Sequence, residues 1–108
     1  MTFLIVGSEA ARYNLGLEWP RIPKDLDAFT DDTPDMHEDP VDMYWDESFR
    51  EIWGDVRRYA TVDELYTIKM SHIYWSLRNG SWQKHKGDLI FFKKHGAKII
   101  PELHDALY

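Results

Sequence analysis

The chain has 108 residues, no cysteine and a formal net charge of −6. That length suits one domain, and without thiols there is no disulfide framework and no thiolate metal site. With 44% hydrophobic residues and five tryptophans the chain can build a core rather than stay disordered, while its acidic balance argues against duplex DNA as a partner.

Phe3-Leu4-Ile5-Val6 is a short apolar run cut off by Gly7, so residues 2–6 read as a buried strand. Gly7-Ser8 then opens a helix over 8–15, with Ser8 as its N-cap, Ala10, Ala11 and Leu15 as its apolar contacts and Gly16 at its end. Backbone N–H groups at such a turn can hold phosphate oxygens, and a glycine lets them come close. Residues 16–24, with Pro20 and Pro23, read as a loop, and 25–30 as the second strand. On that strand Asp25 and Asp27 share a face while Leu26 points to the core. Carboxylates side by side repel, and a cation between them resolves this; Mg²⁺ prefers oxygen ligands and phosphate company. The plainer alternative is a glycine turn followed by a solvated acidic strand end.

Turn formers and acids fill 31–40, which is expected to be an exposed, mobile loop; its His37 is either a metal ligand or simply solvated. Val41 to Trp45 reads as a third strand. Its Asp42 either completes a triad with Asp25 and Asp27 or faces water, and Asp46 is a weaker candidate. Residues 46–53 fit a short helix with Phe49, Ile52 and Trp53 on one side, and 55–60 a short strand or connector. Thr61-Val62-Asp63-Glu64 is a capping box, starting a helix expected to run to about Arg78. Val62, Leu65, Tyr66, Met70, Ile73 and Leu77 share one face of it, and Lys69 falls within that stripe. A lysine there either snorkels at the rim or aims its ammonium at a phosphate or at the acids; His72 flanks it.

Ser81 can cap a last long helix, 82–95, with Trp82, His85, Leu89 and Phe92 inward. Ile90 and Phe91 fall elsewhere, so this helix is expected to be covered on more than one side. Gly96 ends it, and Pro101 opens a final turn or helix through Leu107. Charge is uneven. Ten Asp or Glu and no Lys or Arg lie between Asp25 and Glu47, whereas from Lys69 to Lys98 the only acid is Asp88. The two stretches could attract each other or clasp a metal-phosphate. No apolar run nears ~20 residues, so no membrane span is expected. The start lacks the basic opening and long apolar stretch of a signal peptide, so a cytoplasmic location is expected.

A Gly7-Ser8 turn after a first strand, followed by Asp25-Leu26-Asp27 on a second, resembles the nucleotidyltransferase (polymerase-beta-like) superfamily. The wording Arg21-Ile22-Pro23-Lys24-Asp25-Leu26-Asp27-Ala28-Phe29 is similar to abortive-infection (AbiEii-type) toxins and small phage-encoded relatives. Val41-Asp42-Met43 matches the superfamily's third carboxylate, and Lys69, Lys84 and Asp88-Leu89-Ile90 match the order of its later motifs. Three departures stand out. The gap from Ser8 to Asp25 is long, Lys84-His85 replaces the family's Arg-Asp pair, and no extra domain selects an acceptor.

The resemblance implies a small α+β fold, with 1–108 as one nucleotidyltransferase-like domain whose short mixed sheet packs against C-terminal helices. It implies Mg²⁺ on Asp25, Asp27 and Asp42 as the catalytic and metal-binding carboxylates. Gly7 and Ser8 would hold the phosphates of an NTP, with Lys24 and Lys69 balancing its charge. The nucleotidyl group would pass to an unidentified acceptor, a host protein or an RNA. Two other readings stay open. One is a non-catalytic, acidic, phage-type protein that docks on a host protein as an inhibitor or nucleic-acid mimic. The other is a nucleotide-sensing pseudoenzyme on the same fold. An enzyme needs its carboxylates converging, whereas a mimic needs its acids spread over an exposed face.

Overall fold

Alternation along the first strand sets the architecture. In β1 (Thr2–Val6), Thr2, Leu4 and Val6 are buried while Phe3 and Ile5 are half-buried, as a pleated strand dictates. The structure is a computed structural model that describes residues 1–19, 26–31, 41–71 and 82–107, of which 41–45 and 82–84 by backbone alone. It is an α+β protein. A four-stranded sheet has the order β3-β2-β1-β4, with β2 (Leu26–Thr30), β3 (Val41–Trp45) and β4 (Val56–Tyr59). β1 runs antiparallel to β2 and parallel to β4, and β2 runs parallel to β3, so the sheet is mixed. The chain comprises two compact units, Met1–Thr61 and Val62–Tyr108.

In the first unit, α1 (Gly7–Leu15) follows β1 without a spacer. Ser8 is therefore not the cap: Val6 takes that position with an extended backbone, and no side chain caps the helix. Gly7 makes the strand-to-helix turn at φ +70°, a conformation that side-chain-bearing residues rarely adopt. A 3₁₀ turn, Gly16–Glu18, follows. The helix α2 (Ser48–Trp53) lays Phe49 and Trp53 on Phe29, at ring-centroid distances of 4.7 and 5.9 Å. Such aromatic pairs add about 1 kcal/mol each beyond the area they bury. Asp31, expected as the start of a mobile loop, is instead tied down. Its carboxylate accepts the Thr2 N–H at 2.7 Å and is only 10% exposed. Residues 32–40, His37 among them, lie outside the described residues.

The second unit consists of α3 (Val62–Ser71), α4 (Trp82–Lys94) and α5 (Pro101–Leu107), with α3 against both others. α3 starts directly after Thr61, as the capping box requires. Its expected continuation to Arg78 lies outside the described residues. The buried face is rotated from the expected stripe: Glu64, Leu65, Thr67, Ile68 and Ser71 are buried, while Val62, Tyr66 and Met70 are half-buried. The reason is polar satisfaction. Thr67 Oγ1 donates to the Asp63 carbonyl at 2.7 Å and accepts the Ile100 N–H at 2.9 Å, so a hydroxyl can be fully buried there. The Asp63 carboxylate likewise accepts the Lys98 N–H at 3.0 Å, fixing the segment before α5. On α4, Leu89 and Phe92 are buried as expected, but Ile90 is 47% exposed, so the expected cover on a second side is not found there. Among the described residues no helix is long and apolar enough to cross a membrane.

Candidate functional site

Antiparallel pairing decides what surrounds the glycine turn. β1 and β2 pair Val6 with Asp27, so Asp27 is carried to the end of β1, where α1 begins. A Cβ built on Gly7 would lie 2.6 Å from Asp27 Oδ2, closer than any real contact allows. A side chain at position 7 would have to turn the Asp27 carboxylate aside, and the positive φ disfavours one independently. The carboxylate thus sits at the first residue of a nine-residue helix. The unsatisfied N–H groups and the positive end of the dipole favour negative charge at that point. Ser8 follows in the first turn and is half-buried.

The neighbouring strand adds a second acidic position. β2 and β3 pair Asp27 with Asp42 in parallel register, which places the two backbones one strand spacing apart, about 4.8 Å. Gly7, Asp27 and Asp42 are thereby gathered at one end of three adjacent strands. Asp25, Lys24 and His72 lie outside the described residues, and so does the side chain of Lys84. Among the described residues no group of three His, Asp or Glu could hold a metal; Asp25 and the Asp42 side chain fall outside that set. Asp46 has a local job instead. Its carboxylate accepts the Ser48 N–H at 2.9 Å at the start of α2, and the Ser48 side chain and then its backbone hold the Asp46 carboxyl below its ordinary range.

Lys69 belongs to the second unit and is not at a snorkelling rim. Its side chain is 18% exposed, and its ammonium lies 3.1 Å from Asp88 Oδ2. It also donates to His85 Nδ1 at 3.0 Å. An ammonium can only donate, so Nδ1 is the accepting atom in this contact. The sequence marks Lys69 and His85 as inward-facing but does not reveal Asp88 as the counter-charge. The signal was present: Asp88 sits one helical turn before Phe92, on the inner side of α4.

One aromatic pair is made by tertiary packing alone. Tyr13 of α1 and Tyr59 of β4 stack with ring centroids 4.0 Å apart and planes 2° from parallel. Nothing in either local pattern announces a contact made between a helix and an edge strand.

A family model described as a domain of unknown function (DUF7275) matches residues 64–108, which lie within the second unit. No curated protein and no solved structure matches the chain.

Proposed function

We propose that this protein binds a Mg-nucleoside triphosphate at the end of its sheet and transfers the nucleotidyl group to an acceptor, acting in the cytoplasm. The observation that supports this reading is the Asp27 carboxylate seated against Gly7 at the start of α1, with Asp42 next to it in register. A helix start favours phosphate oxygens, but a carboxylate in the same place repels them. A hard cation between the two reconciles both, and carboxylate oxygens are its preferred donors. Bound Mg²⁺ would supply Lewis-acid neutralisation of the triphosphate charge.

The chain's own residues have separate tasks. Asp27 and Asp42, joined by Asp25, hold the cation. The backbone around Gly7 and Ser8 orients the phosphates, and Lys24 offsets their charge. The work is mainly positioning and electrostatics, as phosphoryl-transfer chemistry generally requires. The second unit's Lys69 has a structural explanation of its own in Asp88 and His85.

Calorimetric titration of each NTP, with and without Mg²⁺, tests the reading. Wild type should bind one or more NTPs only when Mg²⁺ is present. Asp27→Asn should lose that binding while still melting cooperatively, because asparagine keeps the shape of the side chain and removes its charge. Transfer of label from an α-labelled NTP then identifies the acceptor. If no NTP binds, or if Asp27→Asn binds as wild type does, docking on a host protein becomes the better account.

A further inference from the structure

The Tyr13–Tyr59 stack has Arg57 and Arg58 beside it on β4, with the exposed Asp55 just before that strand. Tyr13 is 68% exposed although Tyr59 covers one face of its ring, so the opposite face is open. Tyr59 is at the end of β4, the sheet's edge strand, in register with Ile5. Arg57 stands two residues earlier, on the same face by strand alternation, with its guanidinium 5.8 Å from the centre of the Phe3 ring. Arg58 bends back to donate to the Tyr59 carbonyl at 3.1 Å, and Arg12 precedes Tyr13 on α1. Both Arg57 and Arg58 are exposed. Tyr13, Tyr59, Arg57 and Phe3 thus form a row of rings and a guanidinium along one side of the first unit.

An edge strand needs charge to discourage pairing with another chain. That accounts for arginines, but not for a flat ring held parallel to a second ring and left open on its outer side. Rings that offer a face, interleaved with guanidinium groups, are how single-stranded nucleic acids are held. Bases stack on the rings, and cations follow the phosphates. A duplex keeps its base faces to itself and has nothing to offer Tyr13.

We propose that the Tyr13–Tyr59 stack, flanked by Arg57, is a binding platform for single-stranded nucleic acid, with a base stacked on the open face of Tyr13. This site is separate from the metal-nucleotide reading and does not depend on it. Recognition there is by stacking and charge, so it tolerates sequence and weakens with salt.

Fluorescence anisotropy of labelled oligo(U) and oligo(dT), titrated with the full chain at low salt, tests the platform. Saturable binding that weakens with added salt is expected. Tyr13→Leu should lower affinity about tenfold or more, since it keeps an apolar side chain but removes the ring. Tyr13→Phe should bind like wild type. Arg57→Ala should weaken binding and flatten the salt dependence. Tyr13 is exposed, so its variants should fold, and Arg57→Ala gives a second test that leaves the stack intact. Four results would overturn the proposal: no saturable binding, Tyr13→Leu equal to wild type, duplex bound as tightly as single strand, or UMP bound as tightly as oligo(U).

Discussion

Asp88 on α4 is 6% exposed and has the Lys69 ammonium 3.1 Å away. Asp27 on β2 is half-buried and has its carboxylate pressed against Gly7, beside the register position of a second acid. The second unit supplies a buried acid with a cation from a facing helix. The first unit places an acid at a helix start and narrows the chain to a glycine to admit it. A buried charge must be compensated. The first pattern does so wholly within the protein, as a structural pair does. The second gathers acidic positions on adjacent strands, with Asp27 and Asp42 in register. Geometry alone separates the two acids, because composition presents both as Asp beside Leu.

Breaking the internal pair should have the largest effect. Lys69→Met leaves Asp88 buried without its ammonium and should cost about 4 kcal/mol. Adding Asp88→Leu should recover most of that loss, because a well-packed apolar pair in place of a buried ion pair is often neutral. Denaturant melts of the two variants check this. A Lys69→Met loss below about 1 kcal/mol would mean the pair is solvated and the contrast with Asp27 is false.

The glycine contact comes next. Gly7→Ala should cost about 3 kcal/mol, combining roughly 1 kcal/mol for the positive φ with an overlap against Asp27. Asp27→Ala in the same chain should remove the overlap and leave the φ cost. A double-mutant cycle therefore reads the overlap directly. Additive effects would show that Asp27 does not press on position 7.

Asp31 offers an intermediate case, an acid used to satisfy an amide. Asp31→Ala strands the buried Thr2 N–H and should cost about 2 kcal/mol. Hydrogen exchange at Thr2 and its neighbours in β1 should speed up in that variant, while exchange in α3 stays unchanged.

These acids also mark what the sequence can and cannot reveal. β1, β2 and β3 are legible because each is a short apolar or alternating run, two of them closed by a turn signal: Gly7 after β1, and the acid-rich 31–40 after β2; the stretch holding β4 reads equally as a strand or a connector. α2 was legible from Phe49 and Trp53, spaced to meet one surface. Ser8 suits a cap by residue type, whereas Gly7's positive φ lets the strand run straight into the helix. The inner face of α3 was misphased because Thr67 looks polar, and only the distant Ile100 amide shows why it is buried. Asp25, Asp27 and Asp42 stand out in the sequence by type and order, yet the contact of Asp27 with Gly7 depends on a β1–β2 register that no local pattern states. The Tyr13–Tyr59 stack was missed for the same reason, since its members are brought together by tertiary packing alone.

Asp46 should give the smallest effect, and its pH dependence sharpens the series. It is exposed, and among the described residues its carboxylate accepts from Ser48, which holds it below the ordinary value of 3.8. A carboxyl lowered on folding contributes stability that is fully present above its unfolded pKa. That contribution is lost as pH falls through the folded value, because the native state must then take up a proton it resisted. Asp46→Ala should therefore melt slightly below wild type at neutral pH, by less than any variant above. The difference should hold down to about pH 4 and close below it, where wild type is itself protonated. Lys69→Met should not share that profile alone, since packing around the buried pair is lost at every pH. Thermal melts of wild type and Asp46→Ala between neutral and strongly acidic pH decide the matter. A gap that persists unchanged in strong acid would assign the effect to the Asp46 backbone turn and not to its charge.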